Sequence, residues 1–186
     1  MIDSQAVLYS EGGDNENHTP AYVVAPLIKY IPRGSIIWTP FDTEKSEFVK
    51  VLGGAGFEVV YSHIDYGQDF FTCQPPLRFD IIISNPPFTN KRKIFERALS
   101  FGKPIALLMT NVWLNDTAPF QVFEDYKLEL MFFNKRIKYN DAEGKPKLYL
   151  NKKTGKWHDK ITFSSSYYCH GLLPERIVTE KLNVTT

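Results

Sequence analysis

The sequence predicts an α/β fold, a mostly parallel sheet with helices on both faces. Three observations predict it. Strand-length apolar runs alternate with helix-period segments through about residue 133, the signature of βαβ units. Residues 79–84 (FDIIIS) are apolar without alternation, as in a central strand covered on both faces. The chain has 186 residues, of which 43% are hydrophobic and 23% charged, enough for one well-buried domain.

The elements follow in order. Residues 1–17 are polar and predict a loose lead-in, with a single domain over 18–186. Thr19 is placed to cap a helix, with Pro20 in its first turn. Val23, Val24, Leu27, Ile28 and Ile31 recur at helical spacing, and Pro26 predicts a bend or break. Gly34 ends that segment, and residues 35–39 (SIIWT) form a short buried strand. Asp42 or Thr43 is expected to cap a helix that turns Phe48, Val49, Leu52 and Ala55 inward and stops near Gly53 and Gly56. Residues 58–64 (EVVYSHI) make a second strand, 65–78 a loop, and 79–84 the third strand.

Asn90 is expected to cap the next helix, with Ile94, Phe95, Ala98 and Leu99 inward. Gly102 and Pro104 stop it. Residues 105–110 are a strand, 117–126 a short helix and 128–133 a strand. Residues 134–160 are basic and turn-rich, and predict hairpin-like excursions. Residues 161–169 (ITFSSSYYC) close the fold as a long strand.

The net charge is only +1, with 22 Lys/Arg against 21 Asp/Glu. That excludes a uniformly basic coat. The balance conceals a split. Residues 1–90 carry 5 Lys/Arg and 11 Asp/Glu, whereas residues 91–160 carry 15 and 8. The basic half suggests an anionic partner, against the plainer reading of a solvated lysine face. Cys73 and Cys169 show no disulfide framework or zinc spacing, so no metal is expected. No apolar run approaches the roughly 20 residues of a membrane span. The first residues lack the pattern of a signal peptide, so a soluble protein in a reducing compartment is expected, with no membrane partner.

Ligands of such sheets sit beyond the carboxyl ends of the strands. Asn85, Pro86, Pro87 and Phe88 stand there, directly after the third strand. The chemistry favours these residue types. An exocyclic amine on a nucleobase is a poor nucleophile because its lone pair is delocalised into the ring. A site that accepts both amine hydrogens turns the lone pair outward. Asn85 offers a side-chain carbonyl and Pro86 a backbone carbonyl. The prolines hold the turn rigid without donating N–H, and Phe88 offers a flat face for a flipped-out base. The plainer alternative is a proline-rich turn with a core phenylalanine.

Asn85-Pro86-Pro87-Phe88 resembles the catalytic tetrapeptide of amino-directed, S-adenosylmethionine-dependent methyltransferases, and most of all that of the adenine-N6 DNA methyltransferases. The resemblance covers most of residues 18–174. The segment from Thr19 and Pro20 to Val24 is similar to that family's TPxxVV, which lies against the methionine part of the cofactor. Pro40 and Phe41 resemble the PF of its cofactor loop. Gly67-Gln68-Asp69-Phe70-Phe71 resembles its GxDFF, where the acid binds the adenine amine and the aromatic packs the ring. Arg136-Ile137-Lys138-Tyr139 resembles an RIKF-like strand end, and Phe163-Ser164-Ser165-Ser166 the late strand after it.

The resemblance implies a Rossmann-like class I methyltransferase fold with an antiparallel C-terminal strand. It implies S-adenosylmethionine as cofactor, adenine N6 of DNA as acceptor, and the cytoplasm of a bacterium or a phage-infected host. Asn85, Pro86, Pro87 and Phe88 are the implied catalytic residues. Thr19, Pro20, Pro40, Phe41, Asp42, His63, Ile64, Asp69, Phe70 and Asn85 are the implied cofactor contacts. Two departures stand out. The family's loop runs PFxGxG, but here Asp42, Thr43, Glu44 and Lys45 follow Phe41, and the two long side chains are expected to crowd the approach. The second strand normally ends in an acid for the ribose hydroxyls, but here Ser62, His63 and Ile64 stand there, with Asp65 two residues on as the substitute.

Lys91, Arg92 and Lys93 follow the turn and suit phosphates, as do Arg136, Lys138, Lys152, Lys153 and Lys156 in the basic segment. Trp157 suits base stacking or a partly exposed hairpin, and His18 a ligand or a helix cap. Other acceptors stay open, an RNA base amine or a protein glutamine. So does another class, a nucleic-acid-binding module that kept the fold and lost efficient cofactor binding.

Overall fold

The apolar strand runs assemble into one seven-stranded sheet in a computed structural model that describes residues 17–183. The strands are β1 Ile36–Thr39, β2 Glu58–Tyr61, β3 Ile81–Ser84, β4 Ile105–Thr110, β5 Glu129–Phe133, β8 Ser165–His170 and β9 Ile177–Glu180. They lie in the order β2-β1-β3-β4-β8-β5-β9. The pairs β1/β2, β1/β3, β3/β4 and β5/β9 are parallel, and β8 runs antiparallel between β4 and β5. β6 Leu148–Asn151 and β7 Lys156–Asp159 form a separate antiparallel hairpin.

The helices are α1 Ala21–Val24, α2 Glu47–Gly54, α3 Lys91–Ser100 and α4 Thr117–Val122. Side chains alternate across a strand, and the core divides accordingly. Ile37, Ile81, Ile83, Ala106, Leu108 and Tyr167 face one way, against Val23, Val24, Phe48 and Leu52. Trp38, Ile82, Leu107, Met109 and Tyr168 face the other way, against Ile94, Phe95, Ala98, Leu99 and Trp113. This second face is aromatic. The Phe95 ring lies 4.7 Å from Trp113, 5.7 Å from Phe123 and 5.8 Å from Tyr168. Phe95→Ala is expected to lower the free energy of unfolding by ~3–5 kcal/mol in urea titration, because the rigid rings around it cannot collapse into the gap.

Several boundaries differ from the sequence expectation. The first helix is one α turn that passes into a 3-10 stretch, Ala25–Tyr30, because Pro26 has no N–H to give the preceding turn. Thr19 caps nothing. Pro20 holds the N-cap position, and the buried Thr19 hydroxyl is unpartnered. Neither Asp42 nor Thr43 caps α2. Ser46 does, accepting from Phe48 N at 3.2 Å. Asn90 precedes α3 with φ 55° but makes no side-chain capping bond. The last long strand starts only at Ser165, since Ile161 and Phe163 are buried in the core ahead of the ladder. The edge strand β9 was not legible, because four residues alternating in burial carry little signal.

Candidate functional site

The sheet reverses direction around β1. The chain leaves β1 through α2 to β2 on one side, then returns to β3 on the other. A crevice opens at the carboxyl ends of strands at such a switch point. The residues after β1 and after β3 are those singled out from the sequence, and they meet there.

Asn85 follows β3. Its Nδ2 donates to the Asn17 carbonyl at 2.9 Å. Two carbonyl oxygens cannot bond each other, so this contact fixes the amide's orientation. Oδ1 is left buried and without a partner, a costly state for an amide oxygen unless a donor arrives. Pro86 is buried and Pro87 exposed. Phe88 is half-buried, with its ring 5.4 Å from Phe163 in an edge-on contact.

The strip around this turn is built from distant segments. His18 and Asn140 exchange backbone bonds of 3.1 and 3.0 Å. The Tyr22 hydroxyl takes the Lys138 N–H at 3.0 Å and donates to the Lys138 carbonyl at 3.3 Å. The buried Tyr139 donates to Ser165 Oγ at 2.9 Å, and its burial pushes its phenol above the ordinary range. The segments of Thr19, Asn85, Arg136 and Phe163 thus converge. Asn111, after β4, and Thr162 add further buried, unpartnered side-chain oxygens; no sequence signal marked them.

After β1, Phe41 packs on the buried Phe70 at 4.7 Å, and Phe70 lies 5.7 Å from Trp38. The Arg97 guanidinium sits 5.6 Å from the Phe70 ring. Asp69 turns one carboxylate oxygen to Phe71 N at 3.0 Å. Pro40 and Thr39 are buried. Glu44 and Lys45 are exposed, and Glu44 accepts from the Tyr66 hydroxyl at 2.5 Å. Both long side chains of the glycine-less loop thus face solvent rather than the core.

Beyond β2, His63 Nδ1 accepts from Asp65 N at 3.2 Å and lies 3.3 Å from Asp65 Oδ2. This leaves Nε2 for a hydroxyl. Ile64 is 66% exposed beside it. Asp42 does not face outward. Its oxygens accept from Ser46 and Ser84, each at 2.5 Å.

Burial pushes the Asp42 carboxyl from 3.8 up to about 6, although both serines and His63 pull it down. A carboxyl raised in the folded state favours the native state at low pH. That advantage is full below about pH 4 and is lost as pH rises through about 6, by about 3 kcal/mol at about 1.4 per unit. Asp42→Asn is expected to remove that part of the pH dependence in urea titrations between pH 4 and 8.

The basic residues divide. Arg92 pairs with Glu96 at 2.7 Å and with Gln121 at 3.0 Å, which ties α3 to α4. Lys91 and Lys93 stand with it in the first turn of α3, which holds no acid. Arg136 donates to the Thr162 carbonyl at 3.0 Å, and Lys138 lies 4.0 Å from Asp159. Lys152, Lys153 and Lys156 are exposed on the β6–β7 hairpin, where Trp157 is 65% exposed. Among the described residues no set of His, Cys, Asp and Glu could hold a metal ion, and no helix is long and apolar enough to cross a membrane. A cavity of about 180 Å³ beside Tyr30, Asp80 and Pro104 lies at the opposite, amino ends of the strands.

No protein-family model and no curated protein matches the sequence. Among the solved structures similar in shape are two methyltransferases. One is a predicted O-methyltransferase from Agrobacterium tumefaciens, with 11% identity, 87% of this chain and 84% of that chain covered, and a TM-score of 0.47. The other is the methyltransferase subunit of a type I restriction-modification system from Streptococcus thermophilus, with 9% identity over 96% of this chain and a TM-score of 0.51. The match spans 49% of that subunit, so this chain corresponds to about half its length. The strand order, the antiparallel β8 and this likeness together give the fold: the chain adopts a Rossmann-like class I methyltransferase fold.

Proposed function

We propose that the chain transfers a methyl group from S-adenosylmethionine to an exocyclic amine, adenine N6 of DNA. One observation carries the reading. At the switch point the Asn85 amide is anchored through Nδ2, and its buried Oδ1 awaits a donor. An amine hydrogen supplies that donor. The Pro86 carbonyl accepts the second hydrogen, and together the two acceptors turn the nitrogen lone pair away from the ring. They also stabilise the positive charge that develops on nitrogen. Phe88 supports the extruded base, and the proton leaves to water.

The residues at the crevice fit the cofactor. The orphaned Thr19 hydroxyl, Pro20, Pro40, Phe41, His63 Nε2, Ile64, Asp69 and Phe70 would hold it. When bound it supplies an electrophilic methyl group on a sulfonium. Asp42 stands behind these residues, with one oxygen on Ser46 and the other on Ser84.

DNA is favoured over protein glutamine by the exposed lysines of the hairpin, and over RNA by the likeness to a restriction-modification methyltransferase subunit. The test is incubation with labelled S-adenosylmethionine and, separately, duplex DNA, RNA and a glutamine-bearing protein extract. Label in DNA that digests to N6-methyladenine is expected. Label only in RNA or protein moves the acceptor. No cofactor binding by calorimetry at millimolar donor, with DNA binding intact, replaces the enzyme with a binding module.

A further inference from the structure

Asp42 joins both loops of the crevice through its carboxylate. Oδ1 accepts from Ser46, the cap of α2, and Oδ2 from Ser84, the last residue of β3 and the direct neighbour of Asn85. Its backbone N–H donates to the Ser62 carbonyl at 3.2 Å, and Ser62 N–H donates to the Thr39 carbonyl at 3.1 Å. Ser62 Oγ in turn accepts from Trp38 Nε1 at 3.0 Å. One residue therefore ties the ends of β1, β2 and β3 to the start of α2.

A buried acid is costly unless its bonds are needed. An asparagine avoids the buried charge, but its amide accepts from one serine only and must donate to the other. Only an ionised carboxylate accepts from both serines at once. Protonation turns one oxygen into a donor, so one serine must swing its hydroxyl hydrogen away and accept instead, which reverses that bond.

We infer that Asp42 is a positioning residue, holding Ser84, and through it the Asn85 turn, in register with the loop after β1. The inference rests on the reading of Asn85 as the amine acceptor. The groups that face Asp42 come from every neighbouring element: Ser46 before α2, Ser84 on β3, His63 beyond β2 and Tyr167 on β8. Tyr167 is buried and its phenol is pushed far up, so it stays neutral. His63 is the one group among them that can take a positive charge. A methyl-transfer rate controlled by this latch falls as pH drops through the range where Asp42 gains its proton.

The test compares Asp42→Asn, Ser84→Ala and the double variant. Each single variant is expected to lose roughly 10- to 100-fold in kcat with little change in KM for DNA, since a small misplacement of a reacting group has that effect. The double variant should be no worse than the poorer single one, as expected for two residues acting through one bond. The acidic limb of the wild-type rate profile should vanish in Asp42→Asn. A merely structural residue would lower thermal stability and leave that limb in place.

Amide hydrogen exchange gives a readout without catalysis. Protection at the Asp42 and Ser46 amides, which donate to the Ser62 and Thr43 carbonyls, should fall about tenfold in Asp42→Asn. If Asp42→Asn does not fold, Ser84→Ala, which removes a single hydroxyl, carries the same comparison. Wild-type kcat, acid limb and exchange in the variants would overturn the inference. A wild-type protein inactive on every acceptor would overturn the proposed function instead, and exchange alone would then decide the latch.

Discussion

Asn85→Ala should reduce methyl transfer to adenine by at least ~10²-fold in kcat, the scale on which a preorganised acceptor or donor at a reacting centre is worth. The physical reason is differential. In the ground state the adenine amine is nearly neutral and gains little from a carbonyl. As the new bond forms, nitrogen becomes positive and the fixed Oδ1 dipole opposes that charge without having to reorganise. The loss should therefore appear in kcat, with KM for DNA changed far less. Stability should hold, because alanine removes an already unsatisfied oxygen together with one bond to the Asn17 carbonyl. Asn85→Asp separates the two atoms. It keeps an acceptor but sets a carboxylate against that carbonyl, which turns the side chain from its anchor. Activity near wild type in Asn85→Ala, measured as N6-methyladenine after digestion, would rule out the proposed role.

Replacing Lys152, Lys153 and Lys156 by glutamine should weaken DNA binding and flatten its salt dependence. These side chains crown a hairpin that is about 13 Å long at ~3.3 Å per residue. Its turn is held by Asn151, whose Oδ1 takes Lys153 N at 2.9 Å and whose carbonyl takes Gly155 N at 2.8 Å. Gly155 has φ +64°, a conformation L side chains resist. The base is attached to the crevice. Lys160 N donates to Lys147 O and Lys147 N to Tyr139 O, each at 2.9 Å, and Asn140 then pairs with His18. The tip therefore projects from the wall of the proposed active site. If all three lysines contact phosphates, the slope of log K against log salt should shrink by up to about 2.7, at about 0.9 per phosphate. Cofactor affinity and melting temperature should stay unchanged, because all three side chains are exposed. An unchanged salt slope removes the hairpin from the DNA contact.

Much of this was legible in the chain. The strands β3 and β4 announced themselves as unbroken apolar runs, and both are buried along their whole length. Gly102, with φ +63°, ends its helix where the Gly and Pro signals placed the stop. Asn85 to Phe88 fell at the carboxyl end of a central strand, as the pattern required. Arg92 and Asp42 were legible as polar residues near the site but not in what they do. Arg92 lies against Glu96 and Gln121, and Asp42 faces inward.

The sequence by itself determined what depends on neighbours along the chain: the alternation of strands and helices, the rigid proline turn after β3 and the basic excursion. Periodicity, turn chemistry and charge act over a few residues, so they survive in one dimension. Only the tertiary structure decided which groups meet. The Asp42–Ser84 bond joins residues 42 apart in the chain, and Asn85 is anchored by a carbonyl 68 residues away in the polar lead-in. Such partners are chosen by strand order and by which atoms are left buried without one. Neither is written into any local stretch of residues.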